Sequence, residues 1–170
     1  SLTKINRDLS EVYYMGSFEN AKNHFITITR HRHEVIRNCM KAGIGFQGLF
    51  HDLSKYSPTE FVQGIKFYQG VRSPNEAERE TVGYSKAWMH HKGRNRHHYE
   101  YWTDYNPQTK LMSGVKMPAR YFVEMVCDRI AASKIYHGDE YTDKAPLQYF
   151  ERGKGRLVMH ADTAKELHKV

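Results

Sequence analysis

Two equivalent helix-start signals in the middle of the chain constrain its fold more than any other feature. They are Ser57-Pro58-Thr59-Glu60 and Ser73-Pro74-Asn75-Glu76. In each, the serine suits a helix cap, the proline suits the first helical position, and the glutamate three residues after the serine can reach back to the cap. The two signals predict helices over about 58–69 and 74–92.

Apolar residues at helical spacing predict further helices before these signals. One runs over about 18–41, with Ser17 available as its cap and Gly43 as its stop. A short second helix is expected over 45–55. The apolar residues that recur at helical steps in the first of these helices are Phe25, Ile28, Val35 and Cys39.

The second half of the chain combines one clear helix with segments of weaker pattern. Pro118 opens a helix that runs to about Tyr136, and Gly138 ends it. Residues 93–117 are rich in Gly, Asn, His and Tyr without a sustained period, so they predict a long loop. The remainder suggests two short helices. We therefore expect an all-α protein, a compact bundle of five to seven helices.

Length and composition favour one intracellular domain. The chain has 170 residues, and no run approaches the roughly eighteen apolar residues of a membrane span. The N-terminus lacks the pattern of a signal peptide, so we expect a cytoplasmic protein without a membrane partner. Cys39 and Cys127 form no CxxC pair and are interpreted as buried apolar residues. We expect a single domain over 1–170, with a core of about 18–137 and an extension over 138–170.

Asp128 lies on the otherwise apolar face of the helix that follows Pro118. An ionised carboxylate that points into a core is costly unless a cation meets it. A buried Arg or Lys and a bound metal ion are the two alternatives at this position. The apolar residues that share its face are Tyr121, Met125, Ala132 and Ile135.

The eleven histidines cluster, which favours a chemical role for some of them. His31 shares the apolar stripe of the first helix, whereas His33 points outward; alone, an inward histidine also fits a hydrogen-bonded core residue. His51-Asp52 adds a second imidazole beside a carboxylate. Two imidazoles and two carboxylates suit Mn, Fe, Co, Ni or Zn better than Mg. The four residues that meet this description are His31, His51, Asp52 and Asp128.

Three motifs in order, a first-helix histidine, "HDLSK" and "MVCDRIAA", resemble the signature of the HD-domain metal-dependent phosphohydrolase superfamily. The resemblance covers about 24–137, and Ser54 stands where glycine is usual. It implies an HD-domain-like helical core and hydrolysis of a small phosphorylated substrate, a phosphomonoester, with a nucleotide as one option. The implied ligands of the divalent metal are His31, His51, Asp52 and Asp128.

Branches of that superfamily that hold two metals add a His-His pair and further histidines between the second and last motifs. His90 and His91 match in position, and His97 and His98 match more loosely. Both His90 and His91 stay candidate ligands, and a solvated basic loop is the alternative for the stretch. Lys92 stands where those branches usually have glutamate, so we expect one ion, with two as the alternative.

The implied chemistry is attack on phosphorus by a metal-activated water. Asp52 and Lys55 are the expected catalytic residues, because Lys55 lies about one helical turn beyond Asp52 and can reach a phosphate held at the metal. Glu60 is left out of the site because the Ser57 capping box accounts for it. The residues expected to offset phosphate charge are Lys55, Lys92, Arg94 and Arg96.

Two other function classes compete with hydrolysis. The formal charge of +7 and the segment "HKGRNRHHYEYW" are compatible with a nucleic-acid-binding module, which predicts affinity that falls steeply with salt. Nucleic acid ranks lower as a partner because it leaves the inward-facing His31 and Asp128 without a cause. The resemblance also extends to HD-like di-iron oxygenases, which need redox-active iron.

Overall fold

The protein is described by a computed structural model over residues 2–153 and 157–169, with side chains from residue 17 onward. Those ranges are mostly helical, which confirms the expected architecture. They contain eight α-helices, one more than the upper number expected. The helices are α1 (Leu2–Lys41), α2 (Gly45–Gly48), α3 (Pro58–Lys66), α4 (Pro74–Val82), α5 (Lys86–Lys92), α6 (Ala119–His137), α7 (Ala145–Gly153) and α8 (Ala161–Leu167).

Helices α1 and α6 pack against each other and form the frame of the fold. Their contact is a buried cluster of Val35 and Cys39 from α1 with Cys127 and Ala131 from α6. These side chains are small, so the two helices approach closely and exclude water from the space between them. Both cysteines are free and buried, as the sequence predicts.

Helix α1 begins earlier than the sequence predicts. It runs without a break from Leu2, so Ser17 is an exposed residue inside the helix and the prediction that it caps a helix start is wrong. A serine caps a helix only where the backbone before it is non-helical. Phe25 lies outside the buried stripe, with 49% of its surface exposed. Gly43 follows the end of the helix as predicted, with a φ of 77°.

The helix predicted over 45–55 is broken into two short pieces. Helix α2 covers one turn, and a 3₁₀ turn follows at Leu53–Tyr56. Asp52, at the junction, has a φ of 54°, which is left-handed and cannot continue an α-helix. His51 and Asp52 therefore lie in a turn, and the expectation that they share a helix is wrong.

The helix predicted over 74–92 is divided at Gly83. This glycine has a φ of 88°, and Ser85 then caps a new helix by accepting a hydrogen bond from the amide of Trp88 at 3.0 Å. Ser73 caps α4 as predicted, because its hydroxyl accepts from the amide of Asn75 at 3.4 Å. The division gives α5 its own direction, and this direction determines where the histidines at the end of α5 lie.

The predicted loop over 93–117 contains ordered structure. A 3₁₀ turn at Tyr99–Tyr101 precedes an antiparallel hairpin of β1 (Thr103–Asn106) and β2 (Leu111–Gly114). The side chain of Asn106 accepts hydrogen bonds from the amides that follow it and closes the connection between the strands. Four-residue strands are too short to show an alternating pattern in the sequence.

A second buried cluster joins α6 to the C-terminal part of the chain. It contains Met117, Met125, Phe150 and Leu167, and it fixes α7 and α8 on the side of α6. These helices confirm the two short helices expected after Gly138. Of the helices in residues 2–153 and 157–169, none combines the length and the apolar character that a membrane span requires.

Replacing Gly48 by alanine should destabilise the fold. A Cβ atom at this position would lie 2.6 Å from Cβ of Cys39, so α2 would be pushed away from α1. Overpacking of this kind costs about 1–3 kcal/mol of unfolding free energy. Urea unfolding followed by circular dichroism measures the loss. Gly153→Ala is the control, because within the described residues nothing lies within 4 Å of its added Cβ. Equal stability of both variants and the parent would contradict this packing.

Candidate metal centre

The carboxylate of Asp52 lies at the centre of the histidine cluster and is 1% exposed. Its Oδ2 atom lies 3.3 Å from Nε2 of His51 and 3.8 Å from Nε2 of His31. Its Oδ1 atom lies 3.2 Å from Nε2 of His91 and 3.4 Å from Nε2 of His97. The two oxygens thus face two different groups of imidazoles.

The first cluster contains the four residues that the sequence predicts as ligands. Nε2 of His31 lies 2.9 Å from Oδ1 of Asp128, and Nε2 of His51 lies 3.3 Å from the same oxygen. Each residue offers one atom within 4.8 Å of the others. Helix α1 supplies His31, and helix α6 supplies Asp128. The turn after α2 supplies both His51 and Asp52.

The second cluster joins Asp52 to three histidines from the end of α5 and the segment after it. Nε2 of His91 lies 2.8 Å from Nε2 of His98. The potential ligand atoms of this cluster also lie within 4.8 Å of one another. Its members are Asp52, His91, His97 and His98. The structure therefore brings His97 and His98 into the site, although the sequence ranked them below His90 and His91.

Five buried atoms where the clusters meet form no hydrogen bond within the described residues. They are Nε2 of His31, His51 and His97, and both carboxylate oxygens of Asp52. A buried polar atom that lacks a hydrogen bond costs about 1–3 kcal/mol unless a charge or a ligand offsets the cost, so five such atoms at one place favour a bound ligand. Nitrogen and oxygen lone pairs that converge in this way fit a divalent cation.

Lys55 places a positive charge beside the same carboxylate. Its Nζ lies 2.6 Å from Oδ2 of Asp52, close enough for an ion pair although the angles do not satisfy a hydrogen bond. A Coulombic attraction is less directional than a hydrogen bond, so this short distance is sufficient for an ion pair. The predicted proximity of Lys55 to Asp52 is thus present, through the 3₁₀ turn rather than an α-helical turn.

The charges in the cluster shift its pKa values strongly. Burial alone would raise the pKa of the Asp52 carboxyl, but His51, Lys55 and His91 hold this pKa well below its usual range. Burial likewise opposes the charge on Asp128, and the nearby imidazoles of His31 and His51 hold its pKa well below the ordinary value. Both carboxylates are therefore ionised acceptors at neutral pH.

Glu60 binds the histidine pair at the end of α5. Its Oε1 lies 2.6 Å from Nδ1 of His90 and its Oε2 lies 2.8 Å from Nδ1 of His91. Ser57 makes no side-chain capping bond to α3, so the prediction that a capping box occupies Glu60 is wrong. The Glu60 carboxylate accepts from two imidazoles, and the Ser57 amide donates to the carbonyl of Ser54 instead.

The same contacts separate His90 from His91. Nε2 of His91 faces Asp52, whereas Nδ1 of His90 contacts Glu60. His91 is 2% exposed, and only His91 of the two belongs to a potential metal cluster among the described residues. The structure therefore places His91 in the site and His90 beside it.

Glu124 is a buried carboxylate that the sequence analysis did not identify. Its Oε1 lies 2.9 Å from Nδ1 of His51 and 3.2 Å from Nδ1 of His97. Burial opposes its charge, but the bonds to His51 and His97 lower its pKa to about 2. The available sequence signal was its position one helical turn before Asp128 on α6.

A cavity of about 710 Å³ adjoins the two clusters. His31, Lys55 and Asp128 line it, so it gives access to the candidate ligands. Aromatic and apolar side chains form much of the remaining wall. They include Tyr68, Trp88, Met125, Tyr136 and Phe150.

The other predicted substrate-binding cations lie elsewhere. Arg94 is exposed and donates to the carbonyl of His90, and exposed Arg96 lies over the rings of Tyr101 and Tyr121. Along the part of the chain that the structure describes, Lys92, Arg94 and Arg96 do not line the cavity. Arg94 and Arg96 are exposed because His97, from the same segment, occupies the buried face.

Asp52→Asn should remove metal from both clusters, because the amide nitrogen replaces one of two acceptor oxygens. We expect less than a tenth of the parent's Mn²⁺ or Co²⁺ content after equilibration and desalting, measured by elemental analysis. Asp162→Asn, at an exposed position on α8, is the matched control and should bind as the parent does. Full metal occupancy in the Asp52 variant would rule out this centre.

His91→Gln should reduce metal content, whereas His90→Gln should change it by less than about twofold. Each variant deletes one of two neighbouring imidazoles that contact the Glu60 carboxylate. The main difference is that the ring of His91 faces Asp52 and the ring of His90 does not. Isothermal titration with Co²⁺ compares them. Equal losses in both, or a larger loss at His90, would contradict the observed ring orientations.

Comparison with known proteins adds a family to this description but no activity. The chain matches neither a curated protein nor a solved structure. A family model described as "Family of unknown function (DUF5662)" matches residues 20–170, a range that contains every member of both clusters. The chain therefore belongs to the DUF5662 family.

Proposed function

We propose that the protein is a divalent-metal-dependent phosphohydrolase that acts on a phosphomonoester, with a nucleotide as one candidate substrate. The observation that carries the proposal is the set of five buried nitrogen and oxygen atoms that form no hydrogen bond within the described residues, beside a cavity that Lys55 also lines. The proposed cofactor is Mn, Fe, Co, Ni or Zn, with the two clusters as binding sites for up to two ions. The proposed location is the cytoplasm, where Cys39 and Cys127 stay reduced.

The donor set suits this cofactor. His31, His51, Asp52 and Asp128 would hold one ion, and Asp52, His91, His97 and His98 would hold another, with Asp52 shared between them. A divalent ion so bound would lower the pKa of a coordinated water towards neutrality and would polarise a phosphoryl oxygen. Two imidazoles and two carboxylates leave positions open for water and for substrate.

Lys55 supplies the fixed positive charge of the proposed mechanism. Burial opposes its charge, but Asp52 and Asp128 raise the pKa of Lys55 above its usual value, so it stays protonated at neutral pH. Its ammonium group lines the cavity beside the candidate ligands. It can donate hydrogen bonds to the phosphate and offset charge that develops on the oxygens during attack.

The cavity wall favours an organic leaving group of some size. Its volume of about 710 Å³ exceeds that of a phosphate ion, and the rings of Tyr68, Trp88 and Phe150 line it. A nucleobase or another flat ring can pack against such a surface. Arg129 also lines the cavity and lies over Phe150, at 5.8 Å from the ring centroid.

A screen of phosphomonoesters tests the proposal. Purified protein, stripped of metal and then supplied with Mn²⁺, Co²⁺, Ni²⁺ or Zn²⁺, is assayed for phosphate release from nucleoside monophosphates, sugar phosphates and p-nitrophenyl phosphate. Release that depends on the added metal and disappears in Asp52→Asn supports the proposal. Metal binding without any release would contradict it, and a visible band that bleaches on reduction would favour an oxygenase.

Lys55→Met should lower kcat/KM by about a hundredfold with little change in metal content, since it removes a charge that stabilises phosphate oxygens. Lys66→Met is the control, because Lys66 is an exposed lysine at the end of α3. Phosphate release and elemental analysis are measured on the same samples. An active Lys55→Met variant would exclude this residue from the mechanism.

A further inference from the structure

Glu124 links the two metal clusters through one oxygen atom. Its Oε1 faces Nδ1 of His51 and Nδ1 of His97, while Nε2 of His51 faces Oδ2 of Asp52 and Nε2 of His97 faces Oδ1. Asp52, His51, Glu124 and His97 therefore form a closed ring of contacts. The centroids of the two imidazoles lie 4.3 Å apart within this ring.

The shared oxygen sets the tautomer of both histidines. An ionised carboxylate accepts hydrogen bonds and cannot donate them, so each Nδ1 carries a proton where it faces Glu124. In a neutral imidazole with a protonated Nδ1, Nε2 carries a free lone pair. Both lone pairs then point to the side of Asp52, where Nε2 of His51 and of His97 form no hydrogen bond within the described residues.

Glu124 is itself held in place from two directions. It is 5% exposed, and Gln47 donates a hydrogen bond to its second oxygen, Oε2. The Gln47 amide also donates to the carbonyl of Arg120 at 3.3 Å. Glu124 lies one turn before Asp128 on α6, so one rigid helix carries both a candidate ligand of the first cluster and the carboxylate that contacts both clusters.

We propose that Glu124 is a positioning residue shared by the two clusters, and that it makes their binding of divalent transition-metal ions interdependent. Ordering His51 around an ion in the first cluster fixes Glu124, and this in turn orders His97 for the second cluster. The inference rests on the metal centre proposed above but not on hydrolysis. Its signature is a parallel loss of affinity in both clusters when one acceptor oxygen is removed.

The test compares Glu124→Met with Glu124→Gln in Co²⁺ titrations of full-length, metal-free protein, followed by visible absorption and elemental analysis. Methionine and glutamine are similar in length to glutamate, but only glutamine keeps an oxygen that can accept from Nδ1 of both histidines. In Glu124→Gln, the Gln47 amide must turn so that its oxygen accepts from the new amide group. Glu124→Met should bind ions in both clusters about 10- to 100-fold more weakly. Glu124→Gln should stay within about fivefold of the parent.

Two controls separate positioning from general stability. Glu78→Met and Glu78→Gln alter an equally buried glutamate, 4% exposed, which accepts hydrogen bonds from Ser85 and Lys86 at the start of α5 and, among the described residues, from no member of either cluster. Neither should change Co²⁺ affinity by more than about twofold. Gln47→Ala, at a partly exposed position, removes the hydrogen-bond donor to Glu124. It should lower the Co²⁺ affinity of both clusters together by about threefold. This variant keeps the test decisive if Glu124→Met does not fold.

The outcomes distinguish this inference from the proposed function. A parent protein that binds no Co²⁺ would overturn the metal centre as a whole. A parent that binds Co²⁺ with Glu124→Met unchanged, or with loss confined to one cluster, would overturn the shared role of Glu124 alone. Equal losses in Glu124→Met and Glu124→Gln would show that charge, rather than the accepted hydrogen bonds, is what the site requires.

Discussion

The burial of the Asp52 carboxylate is the interaction on which the site depends. A buried negative charge is costly, and His51, Lys55 and His91 surround this one with positive or polarisable groups. Its backbone is left-handed, so the chain turns sharply there and the two carboxylate oxygens face opposite groups of imidazoles. The cost of that burial and of the turn is met by packing elsewhere in the fold.

That packing comes mainly from the contact of α1 with α6. Small residues such as Cys39 and Ala131 let the helices approach, which brings His31 and Asp128 within 2.9 Å across the interface. Gly48 lets α2 lie against α1, and the chain then reaches the turn that holds His51. The ligand geometry of the first cluster is therefore a direct result of close helix packing.

The sequence predicts which segments are mainly helical and which four side chains meet in the first cluster, because both depend on local spacing. His31 and Asp128 stand on apolar stripes, and the spacing of the stripes shows that they point inward. The prediction for Glu60 was wrong because a capping box is a local sequence pattern. The contacts that Glu60 makes instead are with His90 and His91, which lie about thirty residues further along the chain. The choice between His90 and His91 depends on the direction of α5, which the break at Gly83 sets.

The two clusters differ in how firmly the chain supports them. The first is built on α1 and α6, of 40 and 19 residues, whereas the second depends on the seven-residue α5 and the irregular segment after it. Long packed helices resist displacement, while short helices and connecting segments open at lower free energy. An ion in the second cluster is thus expected to exchange with solution faster than one in the first. Metal supply in the cell would then act on occupancy of the second position.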